Sequence, residues 1–170
     1  MMRLSLTMIV LLVWNCVPAV FAQSPSAPPA RVAVAGVIPL INVRVQLEAT
    51  EGSIAVPYCG ETEYGTPLLC GQAVRLEVET PQGWRPPKPR TSLGILADPP
   101  AGRIRALIIA PKTKRSLIFA FGRGFVEVSA GQQLRVVVDV WPDEQSMRSG
   151  GKASQITSSP FPCPQTDIGW

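Results

Sequence analysis

The sequence contains no histidine, and this absence removes the side chain that most often catalyses proton transfer near neutral pH. Ser-His-Asp and Cys-His triads are therefore excluded. A zinc site is not favoured either, because imidazole ligands and a close Cys-x-x-Cys pair are both missing. No glycine-rich phosphate loop follows a strand and opens a helix. We expect a protein that is not an enzyme and that holds no metal or cofactor.

The sequence also lacks an apolar run long enough to cross a membrane as a helix, which needs roughly 20 residues. Arg3 precedes a shorter apolar run at residues 4–13, and Pro18 ends it. The side chains of residues 20–22 are small or acceptable at the positions that a signal peptidase reads. This pattern predicts a signal peptide that is cleaved after Ala22. We therefore expect a secreted, periplasmic or cell-surface protein that is not integral to a membrane.

Composition predicts how the rest of the chain is organised. We expect a signal peptide at 1–22, a flexible Pro- and Ser-rich leader at 23–30, a β-sandwich domain at 31–145 and a flexible Ser-, Gly- and Pro-rich tail at 146–170.

Removal of the signal peptide takes Cys16 away and leaves Cys59, Cys70 and Cys163. In an oxidising compartment cysteines are expected to form disulfides. Cys59 and Cys70 enclose a polar, turn-prone stretch between two apolar ones, and this spacing predicts a disulfide between them. The sequence leaves three states open for Cys163: a thiol, a bridge to a second copy of the chain, or a bond to Cys59 or Cys70 instead.

Hydrophobic residues alternate with polar ones in three segments, at 41–49, 74–79 and 134–140. A period of two predicts strands with one buried and one solvated face. Shorter candidates lie at 32–37, 54–58, 92–96, 104–109, 116–121 and 125–129, and residues 122–124 suggest a hairpin between the last two. We expect an all-β fold, an antiparallel β-sandwich of seven to nine short strands, with an open barrel as the rival.

Charge is segregated along the chain. The acids that cluster between residues 48 and 79 are Glu48, Glu51, Glu61, Glu63, Glu77 and Glu79. The basic residues that cluster between 85 and 115 are Arg85, Lys88, Arg90, Arg103, Arg105, Lys112, Lys114 and Arg115. Such polarity predicts a site for an anionic partner, provided that the two clusters do not intermix in the folded chain. Nucleic acid is not favoured, because stacking aromatics are not interleaved with the basic residues.

Two stretches resemble the carboxypeptidase regulatory-like (transthyretin-like) domain. Residues 65–68 and 71–78 (Gly-Thr-Pro-Leu and Gly-Gln-Ala-Val-Arg-Leu-Glu-Val) are similar to its Gly-x-Pro-Leu-x-Gly-Ala-x-Val-x-Val opening, and residues 122–140 to its closing strand pair. The resemblance spans residues 65–141 and implies a seven-stranded Ig-like or transthyretin-like sandwich that acts as an accessory or binding module. The Pro-rich segment 81–89 and the strands expected before residue 60 depart from the family pattern.

These observations predict a non-catalytic binding or structural module outside the cytoplasm. Its expected partner is a protein, a polysaccharide or an anionic component of the cell envelope. The alternative is an accessory subunit of a larger exported assembly, which docks through segment 81–89 or through the tail.

Overall fold

The computed structural model describes residues 28–38, 42–89, 104–120 and 126–164. These residues form thirteen strands and one short helix. Their bounds are β1 Ala30–Ile38, β2 Asn42–Ala49, β3 Ile54–Glu61, β4 Pro67–Leu69, β5 Val74–Thr80, β6 Gly83–Arg85, β7 Lys88–Pro89, β8 Arg105–Ile109, β9 Lys114–Ala120, β10 Val126–Glu127, β11 Gln133–Val140, α1 Glu144–Arg148, β12 Ser154–Thr157 and β13 Phe161–Pro162.

The first sheet is curled and has the strand order β1-β2-β9-β4-β3-β8. Its pairs are antiparallel except for β4 and β9, which run parallel where Leu68 meets Ile118. Strand β2 follows the alternation in the sequence: Val43, Val45 and Leu47 are fully buried, while the intervening polar residues are exposed or half-buried. Burial of one face therefore fixes the register of this strand, since a slip by one residue would reverse its faces.

The second sheet has the strand order β12-β11-β5-β6, and β13 pairs with the start of β11. Its pairs are antiparallel, with Val136 opposite Leu76 and Val138 opposite Ile156. A bridge between Ala55 and Trp141 links the two sheets through N···O distances of 2.8 and 3.0 Å. A separate two-stranded pair joins β7 to β10.

Both sheets contribute to one hydrophobic core. Its largest fully buried side chains include Leu47 and Leu117 of the first sheet and Leu134 of the second. Seven of the strands have five or more residues, and the others are shorter. The all-β prediction is confirmed, but the predicted number of seven to nine strands is too low, because the described residues also form several strands of two to four residues.

The predicted disulfide joins Cys59 in β3 to Cys70, which directly follows β4, and the two Cα atoms lie 5.3 Å apart. The enclosed loop is closed further by Thr62, whose N–H donates to the carbonyl of Thr66 at 2.9 Å. Gly65 has a φ of +72°, a conformation that glycine adopts without steric cost. The loop is thus held at its base by a covalent bond and at its tip by a turn.

Replacing the disulfide by the pair Cys59→Ser and Cys70→Ala is expected to lower the free energy of unfolding by about 2–3 kcal/mol, because the loop is no longer closed in the unfolded chain. Alanine suits position 70 because Cys70 is 1% exposed and a hydroxyl there would be buried. Urea unfolding followed by circular dichroism measures the loss. An unfolding free energy equal to that of the wild type would contradict this role of the bond.

Cys163 is not part of this disulfide and lies in the core, with 2% of its surface exposed. Its N–H donates to the carbonyl of Gln132 at 2.8 Å, which anchors the chain end beside β11. The intermolecular Cys163 bridge that the sequence left open would require β13 to leave the sheet first.

The structure differs from the flexible tail expected at residues 146–170. Residues 144–148 form α1, β12 pairs with β11 over four residues, and Ile156 is buried. Asp143 caps α1 by accepting the Ser146 N–H at 2.6 Å, and this bond lowers the pKa of the Asp143 carboxyl. The chain to Pro164 is thus part of the fold, and residues 165–170 lie outside the described structure.

Two other predictions, of a hairpin and of the end of the leader, also differ from the structure. The predicted hairpin between the strands at 116–121 and 125–129 is wrong, since β9 pairs with β2 and β4 whereas β10 pairs with β7. The end of the predicted leader is ordered: β1 begins at Ala30, and Thr50 donates hydrogen bonds to the carbonyls of Pro28 and Pro29 at 2.8 and 3.0 Å.

The predicted signal peptide, the leader up to residue 27, the strand at 92–96 and the turn at 122–124 lie outside the described residues. Within the described part of the chain, α1 is the one helix, and it is far too short to cross a bilayer.

Candidate anionic-ligand site

The position of Arg85 follows from the pairing of β5 with β6. Arg85 lies opposite Val78, and directly opposed residues of an antiparallel pair share one face of the sheet. Val78 is buried in the core, so Arg85 continues the inner face of the second sheet. Strand β6 is the last of that sheet, and Arg85 is therefore exposed beyond the margin of the core.

Arg85 and Lys88 both line a cleft of about 540 Å³ at this margin. The other lining residues come from β5, from the chain after β6 and from the segment between β10 and β11; they are Val78, Thr80, Pro86, Val128, Ser129 and Gln132. The cleft volume lies within the range of about 300–1,000 Å³ that is common for ligand sites.

The Gln132 side chain fixes one wall of the cleft. Its amide donates to the carbonyl of Glu79 at 3.4 Å and accepts the N–H of Ser129 at 3.1 Å. The segment before β11 is thereby tied to the end of β5. Gly131, with a φ of +78°, lies in the turn that precedes β11.

The cleft offers a surplus of positive charge and hydrogen-bond donors. Arg85 and Lys88 are exposed and form no ion pair with any side chain that the structure describes. The Ser129 hydroxyl makes no hydrogen bond within the same residues. Backbone pairing places one acidic residue, Glu127, opposite Lys88 in the two-stranded pair. An anion carrying several oxygens matches this set of donors.

The remaining predicted basic residues lie on other elements. Arg105 begins β8 and is exposed, and Lys112 lies in the turn before β9 with a φ of +58°. Lys114 and Arg115 begin β9, and the Lys114 ammonium lies 3.6 Å from the Glu48 carboxylate. Arg90 and Arg103 lie outside the described residues. The structure thus brings Arg85 and Lys88 to one cleft and places the other described members on the first sheet.

The outer face of the second sheet carries an ion-pair network centred on Glu77. Its carboxylate accepts hydrogen bonds from Arg135 at 2.6 and 2.8 Å and from Arg75 at 3.1 Å. The Arg135 guanidinium also covers the Trp84 ring, 4.6 Å from the ring centroid. Trp84 is half-buried beneath the Arg135 guanidinium.

Burial acts to raise the pKa of Glu77, but the hydrogen bonds and charges of Arg135 and Arg75 outweigh it and hold the pKa below its ordinary value. A carboxyl whose pKa is depressed on folding stabilises the folded state above its unfolded pKa. That contribution is lost as the pH falls through the folded pKa.

We expect Glu77→Gln to lower the free energy of unfolding by about 1–3 kcal/mol at pH 7. Glu77 is only 8% exposed, so its removal leaves the Arg135 guanidinium without its described carboxylate partner and leaves Arg75 with the more distant Asp139 carboxylate, 3.7 Å away. Because the stabilising charge is lost in acid, the difference from wild type should shrink below about pH 4. Urea unfolding at pH 7 and at pH 3 measures both effects.

Glu79→Gln is the matched control, since Glu79 is an exposed residue two positions along the same strand. It should change stability by less than about 0.5 kcal/mol. Equal effects of the two variants, or a Glu77→Gln deficit that persists undiminished at pH 3, would contradict the network.

Sequence reasoning missed Thr80, Ser129 and Gln132 as residues of the cleft. They are uncharged polar residues at the end of β5 and in the segment between β10 and β11, and only the pairing of β5 with both β6 and β11 brings them near Arg85. Gly131 is the one residue whose type indicates a turn in the loop that carries Ser129 and Gln132.

Across the described ranges, no three acidic or cysteine side chains lie close enough together to hold a metal ion. No family model matches the chain, and no curated protein matches it significantly.

Proposed function

We propose that this chain is a non-catalytic, exported binding module that holds an anionic polymer of the cell envelope in the cleft lined by Arg85 and Lys88. One observation carries the proposal: two exposed cations without described ion-pair partners converge on a concave site that also offers hydroxyl and amide groups.

Two features support a location outside the cytoplasm. The intramolecular disulfide is typical of oxidising compartments. The predicted signal peptide at residues 1–22 would deliver the chain to a secreted, periplasmic or cell-surface position. The common core of the two sheets further supports a β-sandwich of the Ig-like or transthyretin-like type, a fold that commonly serves as a binding scaffold.

The shape of the site favours a polymer chain over a flat membrane surface. A cleft can surround a carboxylate, sulfate or phosphate group that projects from a polysaccharide, whereas a bilayer presents its headgroups in a plane. Val78 and Val128 add an apolar floor, which suits the ring carbons of a sugar that bears the charged group.

The test is retention of the chain from residue 23 onward on dextran sulfate resin at 20 mM salt, with uncharged dextran resin as the control. We expect retention on the sulfated resin alone and elution below about 0.5 M salt, because salt screens attraction between exposed charges. We expect vesicles that contain phosphatidylglycerol to bind less of the chain than the sulfated resin does. No retention on the sulfated resin at low salt would overturn the proposal.

The alternative, docking as an accessory subunit of a larger assembly, has less support. Strands β12 and β13 pair with β11, so this part of the tail is already engaged within its own chain. In the Pro-rich segment, β6 pairs with β5 and β7 pairs with β10.

A further inference from the structure

A second cleft, of about 390 Å³, lies where the bridge between Ala55 and Trp141 joins the two sheets. Pro57, Ile104, Trp141 and Met147 contribute apolar surface to its lining. The Trp141 indole is half-buried and held in place, because its N–H donates to the carbonyl of Gly151 at 2.8 Å. One of the residues that line the cleft is therefore a tryptophan whose ring is held by a hydrogen bond.

Three polar side chains line the same cleft: Gln72, Asp139 and Arg148. Gln72 is exposed, and its amide both donates and accepts hydrogen bonds. The Asp139 side chain is 21% exposed, and its Oδ1 atom is enclosed without a hydrogen-bond donor among the described residues. A ligand cannot reach the enclosed Oδ1, but the exposed part of the Asp139 carboxylate can accept hydrogen bonds from a ligand that enters the cleft.

The charges of this lining are already balanced. Asp139 Oδ1 lies 3.7 Å from Nη1 of Arg75, and Nε of Arg148 lies 2.6 Å from the Glu144 carboxylate. A charged ligand would find no spare counter-charge here. A neutral ligand with hydroxyl groups would find both donors and acceptors.

We propose that this second cleft binds a neutral sugar unit. A pyranose ring has an apolar face of C–H groups, which matches the Trp141 indole, and a rim of hydroxyl groups, which matches Gln72, Asp139 and Arg148. The site is separate from the Arg85 and Lys88 cleft and requires neither its ligand nor its charge.

The test is binding of the chain from residue 23 onward to an array of neutral oligosaccharides, followed by calorimetric titration with the best-bound glycan. We expect binding to at least one neutral glycan, weakened about five- to tenfold by Gln72→Ala and by Asp139→Asn. Gln82→Ala is the matched control, because Gln82 is an equally exposed glutamine in the turn before β6, and it should leave the affinity unchanged.

Each other result overturns the proposal. If the chain bound no neutral glycan on the array, the proposal would be overturned. It would also be overturned if Gln72→Ala and Asp139→Asn both bound the glycan with wild-type affinity. The variant Arg85→Ala/Lys88→Ala separates the two sites: it should keep neutral-glycan binding while losing retention on dextran sulfate. Loss of neutral-glycan binding in that variant would place the sugar in the other cleft.

Discussion

Leu117→Ala is expected to lower the free energy of unfolding by about 2–5 kcal/mol, as is typical of a leucine truncated in a packed core. Leu117 is fully buried in β9, whose neighbours in the first sheet are β2 and β4. Truncation removes buried apolar surface and leaves a cavity that rigid neighbouring strands fill only in part. Urea unfolding monitored by circular dichroism gives the difference.

Ser116→Ala is the control for this prediction, since Ser116 is the adjacent residue on the exposed face of the same strand. Its replacement should alter stability by no more than about 0.5 kcal/mol. If the two variants were equally stable, the assignment of the inner face of β9 would be wrong.

Removal of both cations from the proposed binding cleft, by Arg85→Ala and Lys88→Ala together, should weaken retention on an anionic polymer at least roughly tenfold. Hydrogen bonds from a charged donor to an anion are stronger than neutral ones, and two of them would be lost. Both residues are exposed, so the fold should persist. The affinity for a sulfated hexasaccharide, measured by calorimetry, tests this prediction.

The variant Arg105→Ala/Arg115→Ala removes the same charge from the first sheet and leaves the cleft intact. Both residues are exposed and form no described ion pair, which makes them a matched pair. We expect less than a threefold loss of affinity, since long-range attraction between exposed charges is screened. Equal losses in the two double variants would show that net charge, rather than the cleft, controls binding.

The strands that the sequence predicted best are those in which every second residue is apolar and buried. Strands β2, β5 and β11 coincide closely with the predicted segments, because each buries a row made mainly of Val and Leu against the shared core. Pairing partners were harder to predict, since they depend on contacts between distant parts of the chain. The wrong hairpin shows this: β9 and β10 are neighbours in sequence and belong to different sheets.

The C-terminal elements were missed because their composition resembles that of a linker. In β12, Ile156 is the one buried side chain, and a single apolar residue among Ser, Gln and Thr gives little periodic signal. Pairing with β11 supplies the hydrogen bonds and the packing that order this segment. The short helix carried a readable signal in Asp143, an N-cap residue, followed by the ion pair of Glu144 with Arg148.

The sequence indicated only some of the residues that line the cleft. Charge segregation drew attention to Arg85 and Lys88, but it grouped them with residues that the fold places on the other sheet. No linear pattern joins Thr80 to Ser129 and Gln132, because β5 and β11 become neighbours only through the fold. The sequence therefore suggested an anionic partner, and the topology defined the cleft in which we propose that such a partner binds.

Backbone amide chemical shifts, recorded while a sulfated hexasaccharide is titrated into the chain from residue 23 onward, test the central claim most directly. We predict saturable shifts at residues 78–88 and 128–132, which form the cleft, and little change at 105–115. Shifts confined to residues 105–115, or no saturable shift at millimolar hexasaccharide and low salt, would contradict a binding site formed by Arg85 and Lys88.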